Sequence, residues 1–175
     1  MPSFTKKAIV ESFLHLVGKK PIDKITVRDI VDDCGINRNT FYYYFQDIYV
    51  VLEDLCRALF HRIPDGQPLS QTLGSFYRQL ADFTARFPHA AKSLALSLGF
   101  EGLERYLASD LDALICGCFA RAECDPPPVT HLRLLRHGLL GLCLDTMRGD
   151  GNAALIASEL EETLSALTPT DPDKT

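Results

Sequence analysis

Apolar residues recur along the chain at intervals of three and four, and this spacing predicts one helix after another. Ile9, Phe13, Leu16 and Val17 form a single stripe, so residues 5–17 read as a helix that stops before Gly18. Pro21 lies in the connection that follows. Val27, Ile30, Val31 and Cys34 repeat the spacing, with Thr26 as N-cap, Asp29 three residues on to complete a capping box, and Gly35 as terminator. Asn37 can cap a third helix over 38–45 that buries Phe41 and Phe45. Further helices are expected near 48–62, 70–86, 89–98, 101–122, 129–148 and 152–167. No segment alternates with the period-two pattern of a strand between hairpin turns, so the fold class is all-α.

Two short helices joined by Cys34-Gly35-Ile36-Asn37 make a helix-turn-helix. Gly35 can take the positive φ of a sharp reversal, Cys34 is small where the helices approach, and Ile36 would plug the angle between them. At about 100° per residue, the inner face defined by Phe41 and Phe45 puts Tyr43 almost opposite, flanked by Asn39 and Thr40. Tyr42 and Tyr44 fall on the shoulders. An ordinary solvent face would carry Lys and Glu; this one carries flat side chains with hydrogen-bonding tips. Asn39 and Thr40 suit base edges or phosphates, and tyrosine hydroxyls suit phosphate oxygens. The start of the third helix adds amides and a positive dipole end. Arg28, on the outer side of the second helix, can add a base or phosphate contact. Asp29, Asp32 and Asp33 must point away from DNA or cost affinity. Packing of the tyrosine face against another domain is the competing reading.

Residues 129–148 are apolar nearly all round, through Leu132, Leu134, Leu135, Leu139, Leu140, Leu142, Cys143 and Leu144, with Gly138 and Gly141 permitting close helix approach. Residues 152–167 carry a stripe of Ile156, Leu160, Thr163, Leu164 and Leu167. Gly149-Asp150-Gly151 makes a short reversal, so an antiparallel hairpin is expected. The same hairpin of a second subunit would cover the leftover apolar surface and give a homodimer about a two-fold axis. Burying about 1,000 Å² of apolar surface would yield about 25 kcal/mol gross, most of it offset by association and ordering costs. Packing of both faces within one chain is the alternative.

The 175 residues are 46% hydrophobic and 23% charged, which excludes wholesale disorder. No apolar run approaches a membrane span, and Glu11 and His15 interrupt any signal-peptide core, so the expectation is a cytoplasmic protein with no membrane partner. The net charge of −5 is uneven, with residues 1–47 at +1 and the remainder at −6. A wholly basic nucleic-acid binder is excluded, whereas a local binding surface is not.

The stretch Ile25-Thr26-Val27-Arg28-Asp29-Ile30, followed by Cys34-Gly35-Ile36-Asn37-Arg38-Asn39-Thr40-Phe41-Tyr42-Tyr43-Tyr44-Phe45, resembles the TetR family of bacterial transcriptional regulators over roughly residues 5–60. The resemblance implies a three-helix DNA-binding domain and an α-helical C-terminal domain that dimerises and often binds a small ligand. The boundaries expected are 1–47 for the DNA-binding domain and 48–168 for the helical dimerisation and ligand domain, and Pro169 and Pro172 mark 169–175 as a disordered tail. The resemblance places Thr26, Arg28, Arg38, Asn39, Thr40, Tyr42, Tyr43 and Tyr44 on positions that face DNA, Tyr42 matching a tyrosine commonly set against a phosphate. One departure stands out: many members carry a basic residue near the start of helix four, about where Ile48 stands. Phe45-Gln46-Asp47-Ile48-Tyr49 resembles instead the branch that includes regulators associated with dihydroxyacetone kinase operons.

The implied function is a ligand-responsive repressor that binds an inverted-repeat, double-stranded operator as a homodimer through helices near 129–148 and 152–167. A two-fold dimer can set its recognition helices about 34 Å apart, one DNA turn. A helical coactivator or partner module of the same fold that does not bind DNA is the alternative. The small-molecule effector has no assigned residues; Phe60, Phe76, Phe83, Phe87, Phe100, Tyr106 and Phe119 are candidates for a pocket, although aromatics at helical spacing are more often plain core. There is no catalytic constellation or phosphate loop, so no enzyme and no cofactor are expected. His61, His89, His131 and His137 share no short spacing. The best cysteine cluster is Cys116-Gly117-Cys118 with Cys124, yet residues two apart on a helix diverge by about 200°, so neither a metal site nor a thiol switch is assigned.

Overall fold

The periodic stripes become helices whose ends are set by local chemistry. The computed structural model describes residues 4–60, 63–64, 66–150 and 153–167. His61, Gly151, the side chain of Leu167 and the tail 169–175 lie outside the described residues. Helix α1 spans Phe4–Val17, followed by a single 3-10 turn at Ile22–Lys24, α2 at Val27–Cys34 and α3 at Arg38–Tyr44. Ile9, Phe13 and Val17 of α1, Ile30 of α2, Phe41 of α3 and Phe45, the residue that ends α3, share one enclosed core. The hydroxyl of the buried Ser12 donates to the carbonyl of Ile30 at 3.3 Å and ties α1 to α2. Gly35 ends α2 with φ 69°, and the Ile36 amide reaches back to the carbonyl of Val31. The expected reversal is therefore a glycine C-cap.

Helix α4, Ile48–Ala58, begins at Asp47, whose carboxylate accepts the Tyr49 and Val50 amides. It was expected to run to 62. Instead the amides of Leu59 and Phe60 bond to carbonyls three residues back, and the chain leaves the helix ahead of Pro64. Helices α5, Leu69–Arg86, and α6, Pro88–Arg121, follow. Two helices were expected where α6 runs. They are present, separated by a break at Gly99 (φ 59°, ψ −165°), a conformation that suits only glycine.

Helix α7, Val129–Arg148, lies along α6, and α8, Ala153–Leu167, lies along α5. The expected α7–α8 hairpin is corrected here. Gly149 does reverse the chain (φ 91°), but the two helices meet only marginally among the described residues. The cause is α5. Gly74 leaves the space that the side chain of Glu161 occupies, and Arg78 pairs with Glu161, which draws α8 onto α5. Helix α7 is anchored elsewhere: Arg136 contacts Asp112 of α6 at 2.6 Å and Glu104 at 3.4 Å. One continuous apolar core runs through the molecule, and α1 rests on α6 where Gly18 faces the Ala90 amide. Among the described residues there is no strand, and no helix is long and apolar enough to cross a membrane.

Candidate nucleic-acid interface

Two hydrogen-bonded caps hold the helix-turn-helix rigid. Thr26 accepts the Asp29 amide at 3.2 Å, and the Asp29 carboxylate receives the Thr26 amide at 2.8 Å and hydroxyl at 2.7 Å. Lys20 sits 2.9 Å from the same oxygen. The Lys20 ammonium, then the Thr26 donors, hold the Asp29 carboxyl down to about 2. At α3, the Asn37 side-chain oxygen accepts both the amide of Thr40 at 2.8 Å and its hydroxyl at 3.0 Å.

With Phe41 and Phe45 sealed inside, the opposite face of α3 is bare. Tyr43 is 82% exposed and Tyr42 55% exposed. Tyr42 stands edge-on to Phe41 at 5.6 Å, so a buried ring sets the angle of an exposed one. Tyr43 and Tyr44 also meet edge-on, at 4.9 Å, with Tyr44 half-buried against the core. Arg38 and Asn39 are exposed and Thr40 is half-buried. Among the described residues Arg38 has no ion-pair partner. Arg28 is exposed, 3.5 Å from Asp32 one turn on.

The eight residues singled out in the sequence thus fall on the two helices of one motif, with unequal freedom. Thr26 is exposed, but its hydroxyl is committed to the cap. Thr40 keeps an acceptor outward while its proton is donated to Asn37. Of the three aspartates, Asp29 is turned to Lys20 and Asp33 to His15 of α1 at 3.0 Å, away from the α3 face. Asp32 is not turned away, because it shares the face of Arg28. Ile48 is buried, and the Asp47 cap occupies two first-turn amides of α4, so that helix start offers neither a basic group nor those donors. Tyr49, exposed beside them, was noticed in the sequence only as one of a tyrosine cluster.

A capped helix-turn-helix with a bare polar-aromatic third helix, carried on an all-helical body, is the arrangement that DNA-binding regulators use to enter the major groove. Residues 9–55 match the family described as bacterial regulatory proteins, tetR family. No curated protein sequence matches the chain. Solved structures match along almost its whole length. The dihydroxyacetone kinase operon activator DhaS is 15% identical over 94% of this chain and 96% of its own, with a TM-score of 0.67. A tetR-family regulator from Streptomyces coelicolor is 20% identical over 93% and 81%, with a TM-score of 0.61. The regulator FadR from Bacillus subtilis, solved in complex with stearoyl-CoA, is 14% identical over 93% and 99%, with a TM-score of 0.61. At these identities the likeness establishes a shared fold.

Among the described residues, the aromatic residues proposed as a pocket do not line one cavity. Phe60 stacks on Phe76 at 5.0 Å, Phe100 meets His137 at 5.5 Å, and Phe87 and Phe119 border separate surface clefts. Of that set, Phe83 alone lines the narrow apolar cavity between α4, α5, α6 and α7. The walls of that cavity are aliphatic, chiefly leucines such as Leu52, Leu80, Leu94, Leu98 and Leu107. A ring-based search of the sequence could not single them out, because leucine on a helix stripe reads as core.

Proposed function

We propose that this protein is a ligand-responsive repressor that binds an inverted-repeat operator as a homodimer. Thr26, Arg28, Arg38, Asn39, Thr40, Tyr42, Tyr43 and Tyr44 form its DNA-facing surface, within a DNA-binding domain of residues 1–47 and ahead of a dimerisation and ligand domain of 48–168. The observation that carries the reading is the exposure of Tyr42 and Tyr43 on a helix whose other face is locked into the core. Two aromatic rings left in water on a capped, rigid helix need a partner surface, and the groove of a duplex fits them.

The rest follows from charge and shape. Each head offers Arg28 and Arg38, opposed by Asp32, so one head binds weakly and two linked heads bind through effective concentration. The dimer surface is the outer side of α7 with α8: Val129 and Leu134 are 70% and 71% exposed, Leu155 is exposed, and the space above Gly138 and Gly141 is open. The effector enters by parting the helices around the apolar cavity, whose own volume of about 30 Å³ holds no more than one water. With no polar side chain in its walls, the cavity favours an aliphatic portion of a ligand. Leu94 and Leu98 precede the Gly99 break and Leu103 and Leu107 follow it. Filling the cavity would change the angle at Gly99 and move the part of α6 that supports α1, shifting the population away from the DNA-competent form.

Selection of bound sequences from random duplex DNA should return an inverted repeat with half-sites about one helical turn apart. With two arginines per head, the slope of log affinity against log salt should be about −4. Tyr42→Phe combined with Thr40→Ala should lower operator affinity at least tenfold and leave the melting temperature unchanged. Undiminished binding by that double variant would reject α3 as the reading helix.

A further inference from the structure

The end of α6 sets two cysteines, six residues apart in the sequence, on the wall of one cleft. The Glu123 amide bonds to the carbonyl of Ala120 at 3.2 Å, and the Cys124 amide bonds to the carbonyl of Phe119 at 3.0 Å. Glu123 between them takes a left-handed φ of 56°. These two bonds and one left-handed residue make a Schellman turn, in which the residue after the left-handed position folds back over the third and fourth positions from the helix end. Here those positions are Phe119 and Cys118. Cys124 and Cys118 accordingly border one open cleft, together with Arg121 and the Gly66–Leu69 segment.

The surroundings treat the two sulfurs differently. Gly117 has no side chain, and the Arg121 guanidinium lies over the vacant position. From there Arg121 donates to Sγ of Cys118 at 3.4 Å and fixes that sulfur at the cleft wall. The Cys118 thiol itself donates to the hydroxyl of Thr72 on α5 at 3.5 Å. Cys124 is exposed to solvent, its thiol donating only to the nearby carbonyl of Ala122 at 3.4 Å. The other buried cysteines stand apart from this arrangement. Burial pushes the Cys56 and Cys143 thiols up to about 12, which keeps them inert.

We propose that Cys118 and Cys124 form a peroxide-oxidisable dithiol that closes to an intramolecular disulfide. The Cys124 sulfur attacks a hydroperoxide oxygen; the O–O bond breaks, and the departing oxygen takes the thiol proton. With hydrogen peroxide this gives a sulfenic acid at Cys124 and one water. The Cys118 sulfur then attacks the Cys124 sulfur. An S–S bond forms, the S–O bond breaks, and the departing hydroxide takes the Cys118 proton as a second water. Two thiols are oxidised and one peroxide is reduced. The closed form withdraws the Cys118 thiol from Thr72 and staples the last turn of α6 to the segment that leads into α7.

The test is non-reducing peptide mapping of the full-length protein after stoichiometric hydrogen peroxide. The expected product is a Cys118–Cys124 link, two hydrogens lighter, with four of the six thiols still titratable. In Cys124→Ser, the same treatment should leave Cys118 reduced, and a reductant should restore both thiols in the wild type. Retention of all six thiols, a link to a different cysteine or between two chains, or over-oxidation of Cys124 without a link would each overturn the proposal. Oxidation of Cys118 in the Cys124→Ser variant at the wild-type rate would overturn it as well.

Discussion

At the scale of single residues, the helix caps are where side-chain chemistry and stability meet most directly. The Asp29 carboxyl is held near 2 in the folded protein by Lys20 and Thr26, against 3.8 for the free group. A carboxyl depressed on folding stabilises the native state above its unfolded value and loses that contribution as pH falls through the folded one. The urea midpoint of the wild type should therefore exceed that of Asp29→Asn at pH 6, and the difference should shrink below pH 4 and be mostly lost by pH 2. Glu123 presents the opposite case. Gly35 and Gly149 occupy left-handed helix ends without strain, whereas Glu123 adopts φ 56° with a side chain in place. Glu123→Gly should raise stability by about 1 kcal/mol in urea denaturation. A loss of stability would mean that the Glu123 side chain makes a contact worth more than the strain.

At the scale of elements, α5 carries α8 and adds a second tie to α7, which lies mainly along α6, and it uses a different device for each. Toward α8 it offers the gap at Gly74 and the Arg78–Glu161 pair. Toward α7 it offers Tyr77, which is fully buried and whose hydroxyl donates to the carbonyl of Leu142 at 3.0 Å and meets the hydroxyl of Thr146. Removing that hydroxyl leaves the Thr146 side chain buried without its partner, a loss usually worth about 1–2 kcal/mol. Tyr77→Phe should lower the unfolding free energy by that amount while keeping the helical circular-dichroism spectrum. An unchanged denaturation midpoint would show that the α5–α7 tie is held by packing alone.

At the scale of the whole molecule, a head with few net positive charges becomes effective only when two heads are held in fixed relation. The proposed contact uses the outer side of α7, where Leu134 projects into solvent in the single chain. Leu134→Glu touches no core packing, so it should leave the fold of the subunit intact. It should convert a dimer to monomer in sedimentation, by placing a charge in a desolvated contact, and weaken operator binding at least tenfold. A fully dimeric Leu134→Glu protein would put the interface on another face.

The sequence by itself determined the helices and the motif, because both depend on neighbours within a few positions. The spacing of Ile30, Phe41 and Phe45 set which faces turn inward, and Thr26, Gly35 and Asn37 set where the turns fall. The outward aim of Tyr42 and Tyr43 followed from the same periodicity. Only the tertiary structure decided what each helix packs against. Residues 129–148 and 152–167 read as a hairpin because they are adjacent in the chain, yet α8 went to α5 through Gly74 and Glu161, positions whose complementarity is invisible until the helices are side by side. The apolar cavity was hidden for the same reason, since a leucine that lines a space and a leucine that fills one have the same period. The shared cleft of Cys118 and Cys124 likewise depends on a left-handed glutamate, a backbone state that residue type alone does not announce.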